Sequence, residues 1–427
     1  MEGAIQHLER SLSLDNSFAP AHAQLAIATM LLTSYVQTER EEARRKAIRH
    51  LDRAQQLEPD LAEAHAGRAV LAMYANDRES QIEHARRALA SNPNYIDAMN
   101  WLSIGLGNLG RYEEAHAIQK QMLVTDPLTI VGRLNYIRDL RSRGRIDEAH
   151  EIADQLLARS PTAGYRAHAQ ISLWSEGKLA DTLSWALRAS HNEPYVMLVF
   201  YAVGEYEEAR RIDAQGAHWI DAEEGHWGAA VRAAQRNVQL YPDSAQFIAD
   251  AVEVLYRAGR IDEALPLYER AHDLAPEGRP VSGLFGTVYA MQLALARRKT
   301  GDEEGAQAAA QIARREHAAP RTAGEKNLIR DMVEAMIAAF DNDPDRAFAA
   351  MQSAVRRGLR WSMSFDDPIF EDLWDEPRLV ALRQEVDVML AEEHENVLQL
   401  ICFNNPVPDE WQPMPETCEG VVEQNDL

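Results

Sequence analysis

Along the chain, apolar positions recur at helical spacing in short blocks separated by polar turns. The block Ile146, Ala149, Ala153, Leu156, Leu157 is typical, and β-branched runs are few, so the pattern predicts helices of three to four turns. Punctuation repeats with the blocks. Prolines stand at 59, 93, 127, 161 and 194, separated by 34, 34, 34 and 33 residues. A second grid is locked to the first: Gly110, Gly144, Gly177, Gly225 and Gly259 each precede Pro127, Pro161, Pro194, Pro242 and Pro276 by 17 residues. Each period reads as two helices, with Gly ending the first and Pro stopping the second or opening the next.

Five residues after the glycine comes a small side chain, as at Ala115, Ala149, Ala230, Ala264 and Ala306, which lets the two helices approach closely. Followed through the chain, this slot holds Ala4, Ala47, Gln81, Ala115, Ala149, Thr182, Ala209, Ala230, Ala264, Ala306 and Ala347, implying about eleven second helices. Long intervals, at 4 to 47 and 264 to 347, leave room for longer first helices. Short ones between 182 and 230 predict compressed units and a break in curvature. Ala4 lies in a second-helix slot, so the chain is read as starting halfway through a repeat, with an apolar face over residues 4 to 14 that a missing partner or another surface would cover.

This arrangement of small residues, turn Gly and closing Pro resembles the tetratricopeptide repeat (TPR), over nearly the whole chain up to about Arg357. The resemblance implies an all-α fold, a right-handed α-solenoid of TPR helix-turn-helix units with a C-terminal cap and extended tail. The expected divisions are 1–194 for an N-terminal array, 195–225 for the compressed units, 226–357 for a C-terminal array, 358–401 for a closing segment and capping helix, and 402–427 for a Pro-rich acidic tail. In the closing segment Trp361, Phe365, Phe370 and Trp374 read as a cap over the last groove, before a final helix from about 377 to 401.

Such an array offers a concave groove lined by its first helices. By frame, Asn100, Asn108, Arg138, Arg141 and Trp174 should face it, a set suited to an extended acidic or C-terminal peptide: guanidinium forks clamp carboxylate, amides pair with peptide backbone, and the ring buries a side chain. The plainer reading is that Arg133, Arg138, Arg141, Arg143 and Arg145 neutralise acidic neighbours. The expected partner is therefore a protein or peptide, with no cofactor, no metal and no catalytic residue assigned. An alternative places an enzyme or metal-dependent module near His218 and His226, beside Asp221, Glu223 and Glu224; there the bland account is that Trp219 and Trp227 pack the break. His22, His65, His116 and His150 occupy repeated slots and read as repeat features. Gly105-Leu-Gly107-Asn-Leu-Gly110 matches the dinucleotide fingerprint but falls at the end of a repeat's first helix, so it is read as a chance match.

Both cysteines flank the proline-rich tail. A Cys402 to Cys418 bond would close a loop of 15 intervening residues and contribute about 3 kcal/mol in an oxidising compartment; two unpaired thiols are the other reading, and spacing leaves both open. The tail and closing segment resemble the C-terminus of bacterial multi-domain signalling proteins, in which a TPR array follows an effector (a winged-helix DNA-binding domain or a class III nucleotide cyclase) and a membrane segment. That resemblance implies the periplasmic side of a membrane, with the cytoplasm as the place otherwise.

Composition refines the picture. The 427 residues are 46% hydrophobic and 26% charged, enough for a large core. The formal charge of −23 argues against a dedicated nucleic-acid or anionic-membrane binder. Residues 364–427 hold 17 Asp+Glu against 2 Lys+Arg, which leaves only −8 on residues 1–363. The longest apolar stretch in mid-chain, Tyr195 to Val203, has nine residues where a spanning helix needs roughly 20, and Met1-Glu2-Gly3 leads into an amphipathic helix rather than a basic-then-apolar leader.

Overall fold

The computed structural model describes residues 2–33, 40–75, 77–212, 217–242, 245–274, 284–318, 328–361 and 364–423. Among them there is no strand. The chain forms two compact units, Met1–Tyr136 and Ile137–Ala319 with Ala323–Leu427. Helices up to the boundary are α1 Glu2–Leu14, α2 Ala19–Leu32, α3 Arg40–Leu57, α4 Ala62–Tyr74, α5 Arg78–Ser91, α6 Ile96–Asn108, α7 Tyr112–Thr125 and α8 Ile130–Ser142, within which the boundary falls. The second unit continues with α9 Ile146–Leu157, α10 Pro161–Ile171, α11 Leu179–Ala189, α12 Pro194–Val203, α13 Tyr206–Ile212, α14 Ala217–Glu223, α15 Trp227–Leu240, α16 Ala245–Arg257, α17 Ile261–Leu274, α18 Leu284–Lys299, α19 Glu303–Ala318, α20 Leu328–Phe340, α21 Pro344–Arg356 and α22 Pro377–Phe403. The fold is all-α, a solenoid-class array of helix-turn-helix units.

The turn grammar has a direct physical basis. Gly110, Gly144, Gly204, Gly225, Gly259 and Gly301 take positive φ. The residue after each donates its N–H five residues back, as in Arg111 to Leu106 O (2.9 Å) and Arg260 to Leu255 O (2.8 Å), satisfying a carbonyl that the helix end would orphan. Asn342, five residues before Ala347, makes the same turn without glycine, at φ 59°, and Asp343 N bonds Ala338 O at 2.9 Å.

All eleven slots of the small-residue grid fall on second helices, α1, α3, α5 and onward to α21. Ten are buried, from Ala47 at 0% to Ala115 at 3%, and Ala4 is exposed. Gln81 keeps its slot by donating Nε2 to Trp101 O at 2.8 Å. The interval from 4 to 47 differs from expectation: α2 has 14 residues while the second helix α3 has 18, so the extra length is not in the first helix. In the short-interval region α13 and α14 have seven residues each.

The closing segment packs into a core of the second unit. Phe365, Ile369 and Phe370 are buried in the core that runs from Ala222 to Val386, and Asp367 accepts from Tyr256 Oη at 2.9 Å. Trp374 is 44% exposed and is no part of that packing. The helix α22 then bridges two cores of the second unit: Leu379, Leu382 and Val386 enter the first, Val397 and Ile401 the one built on α11 and α12.

Candidate functional site

On the first unit, Asn100 of α6 is 5% exposed, and its Oδ1 accepts from Asn135 Nδ2 at 2.6 Å. Its amide is thus engaged within the repeat stack rather than offered outward. Asn108 is exposed at the last turn of α6. Gly105 and Gly107 lie inside that helix, and only Gly110 takes a turn conformation, so the glycine pattern has no strand before it and cradles nothing.

On the second unit, Arg138 and Arg141 project from α8 one turn apart. Arg138 is exposed, yet desolvation by the surrounding protein lowers its pKa, with the Asp139 carboxylate opposing. Arg141 is half-buried and donates Nε to Ser175 Oγ at 3.0 Å. Desolvation pushes its pKa down to about 10, and the positive charge of Arg138 acts in the same direction, with Tyr195 opposing. Both remain cationic at neutral pH. Elsewhere on this helix and the turn after it, Arg143 Nε bonds Asp139 at 2.8 Å and Arg145 forks onto Glu148, while Arg133, on the first unit, is buried. Nearby, Gln170 Nε2 donates to Tyr195 Oη at 3.3 Å. Sequence reasoning missed this polar pair, although Tyr195 follows Pro194 as a repeat-position signal.

Trp174 is not an open groove residue. It lies in a π-helical turn, Ser172–Glu176, that inserts one residue at the end of α10, so that Lys178 N reaches back to Ser172 O at 3.1 Å. Its ring meets Trp361 of the closing segment, with centroids 5.8 Å apart. Behind it Gly177 and Gly358 pass so closely that a Cβ on either would sit 2.7–2.8 Å from the other's backbone. The chain itself covers this stretch.

The alternative site near the break also changes on inspection. His218 is buried, while exposed His226 groups with Asp221 and Glu224, ligand atoms within 4.8 Å of one another. Arg210 already fills this cluster, bonding Asp221 at 3.1 Å and pairing with Glu224. A guanidinium there supplies the charge that a cation would.

Histidines in the repeated slots meet across adjacent helices. His22 and His50, and His150 and His168, bring Nδ1 atoms to 2.9 Å; His65 and His84 stack at 6.1 Å. His22, His65 and His168 are buried and His50, His84 and His150 half-buried, so these are packing contacts between helices.

The tail returns to the second unit. Cys402 and Cys418 form a disulfide with Cα atoms 5.7 Å apart. Trp411, 6% exposed, stacks on Phe200 of α12 with centroids 5.8 Å apart. Glu208 of α13 has a fully buried side chain; its Oε1 accepts from Met414 N at 2.5 Å and from Thr417 Oγ1 at 3.1 Å, and its Oε2 from Arg211 at 2.7 Å.

No family model and no curated protein matches this sequence. Solved structures do. The TPR protein YrrB, described as having an unusual peptide-binding site, is 17% identical, with 46% of this chain and 96% of that chain covered and a TM-score of 0.31. The APC/C hetero-tetramer Cut9–Hcn1 is 13% identical over 87% of this chain and 63% of that one, with a TM-score of 0.45. A tetratricopeptide repeat protein from Parabacteroides merdae is 12% identical over 78% and 98%, with a TM-score of 0.25. No helix among the described residues is long and apolar enough to cross a membrane.

Proposed function

We propose that this chain is a non-catalytic protein-binding scaffold whose second unit holds an extended acidic segment against Arg138 and Arg141. The observation that carries the reading is their juxtaposition: two cations one turn apart on α8, with Arg141 bonded to Ser175 and its pKa pushed down by desolvation and by the charge of Arg138, an arrangement suited to an acidic segment. Gln170 and Tyr195 supply neighbouring polar groups for peptide backbone. Asn108 on the first unit is a separate, exposed amide, and Asn100 is buried and bonded to Asn135.

The test uses a set of extended peptides with acidic C-termini. Binding should weaken as salt rises. Arg138→Glu combined with Arg141→Glu should abolish it, about tenfold or more, with unchanged helicity by circular dichroism. Equal binding by the double variant would move the site elsewhere.

The finer reading is that the scaffold serves as the sensor or interaction region of a larger bacterial signalling protein and biases an attached effector. Its support is the resemblance of the closing segment and tail. The coding sequence around this chain in its genome, read for an effector and a membrane helix, decides it.

A further inference from the structure

Glu208 poses a question that the arginine site does not answer. A fully buried carboxylate needs donors, and apart from its neighbour Arg211 its donors come from the tail some 206 residues away: the Met414 N–H and the Thr417 hydroxyl. The tail sequence is shaped to deliver them. Pro413 and Pro415 lack N–H groups, so the 413–415 stretch presents one backbone donor, at Met414, and that one goes to Glu208. Met414 is extended, with φ −64° and ψ 144°. Two residues earlier Arg211 Nη2 donates to Gln412 O at 3.3 Å, and next to it Trp411 is buried on Phe200. The i, i+3 pair Glu208 and Arg211 therefore reads an N–H and a C=O of one extended strand while Phe200 receives an aromatic anchor. This is the contact pattern of a receptor with a bound linear segment.

We infer that Phe200, Glu208 and Arg211 form a peptide-binding site that the chain's own tail fills in cis, and that the Cys402–Cys418 bridge is its latch. The bridge closes a loop containing Trp411, Met414 and Thr417, so a released tail cannot leave and outcompetes any free ligand through its local concentration. A dithiol reductant opens it by two successive exchanges: the protein disulfide gains two electrons and two protons to become two thiols, and the reductant becomes a disulfide. The site then accepts a partner's extended segment of the same chemistry, a tryptophan followed by alternating prolines and a hydroxyl residue.

The probe is a fluorescein-labelled peptide of residues 406–421 carrying Cys418→Ser, titrated against the full chain and read by anisotropy. The oxidised chain should not bind it. The reduced chain should, and reduced Trp411→Ala, whose own tail competes poorly, should bind about tenfold more tightly or better; adding Glu208→Gln should cost about tenfold. The Arg138→Glu, Arg141→Glu chain should bind the probe normally, which separates this site from the arginine site. Hydrogen exchange at the Met414 amide should accelerate on reduction. Absence of probe binding to both reduced chains, or equal Met414 protection in both redox states, overturns the inference. So does dimerisation on reduction without probe binding, which would give the site to the tail of a second copy.

Discussion

His22 and His50 touch through their Nδ1 atoms at 2.9 Å, so one ring must donate and the other accept, and a second proton would set two N–H groups against each other. Burial first, then the charge of His22, pushes the His50 pKa from its ordinary 6.5 down to about 4. Because the folded value lies below the unfolded one, the unfolded chain takes up the proton first as pH falls. The contribution of His50 is intact above about pH 6.5 and is lost progressively towards about 4. The urea midpoint should fall across that window, and His50→Gln should flatten part of the slope; an identical profile in the variant would remove His50 from the account. Glycine gives a second residue-scale test. Gly204 and Gly358 both take positive φ, but a Cβ meets nothing within 4 Å at Gly204 and the backbone of Gly177 at Gly358. Gly204→Ala should cost about 1 kcal/mol in denaturant unfolding, and Gly358→Ala about 2 kcal/mol or more. Equal losses would show that the close approach adds nothing. Asn342 belongs with these positions: it makes the turn before Ala347 at φ 59° without glycine, so the glycine grid did not mark it.

At the scale of elements, helices and turns were legible because they obey a local period. The path of α22 was not, since it depends on partners without any sequence rhythm. Glu376 starts it, accepting from the N–H groups of Arg378 (2.7 Å) and Leu379 (3.0 Å), as a local pattern permits. Midway, however, Glu393 accepts from the backbone N–H groups of Leu179 (2.6 Å) and Ala180 (2.9 Å) and so caps α11 from a helix 213 residues on. His394 Nε2 lies 2.7 Å from Glu205. Among the aromatics of the closing segment, half-buried Trp361 packs on Trp174, while Trp374 is left at the surface. Glu393→Gln removes negative charge from the positive end of α11 and should cost about 1 kcal/mol. Hydrogen exchange should localise the loss to the amides of Leu179 and Ala180. Unchanged protection there would mean that water replaces the cap at no cost.

For the whole molecule, the acidic end of the chain is distributed over basic and polar groups of the second unit. Lys299 pairs with Glu371, and Arg257 lies 3.8 Å from Asp367, itself fully enclosed with Tyr256. The charge surplus in the composition is thus partly a docking surface. In arrays whose repeats touch only their neighbours, unfolding can begin at an end and proceed unit by unit. The contacts of α11, α13 and α16 with residues 367 to 417 forbid that in the second unit. Trp361→Ala should therefore lower the protection of α10 to α13 amides together with those of α22, in one transition; loss confined to α22 would contradict the coupling. The return of the tail to Glu208 also sets a clock on biosynthesis. A ribosome adding roughly 5–20 residues per second needs roughly 10–40 s to cover the 206 positions from Glu208 to Met414. During that interval the apolar seat on Phe200 and the Glu208 carboxylate are not yet covered by the tail. The middle of this protein therefore stays uncovered until residue 417 has been made.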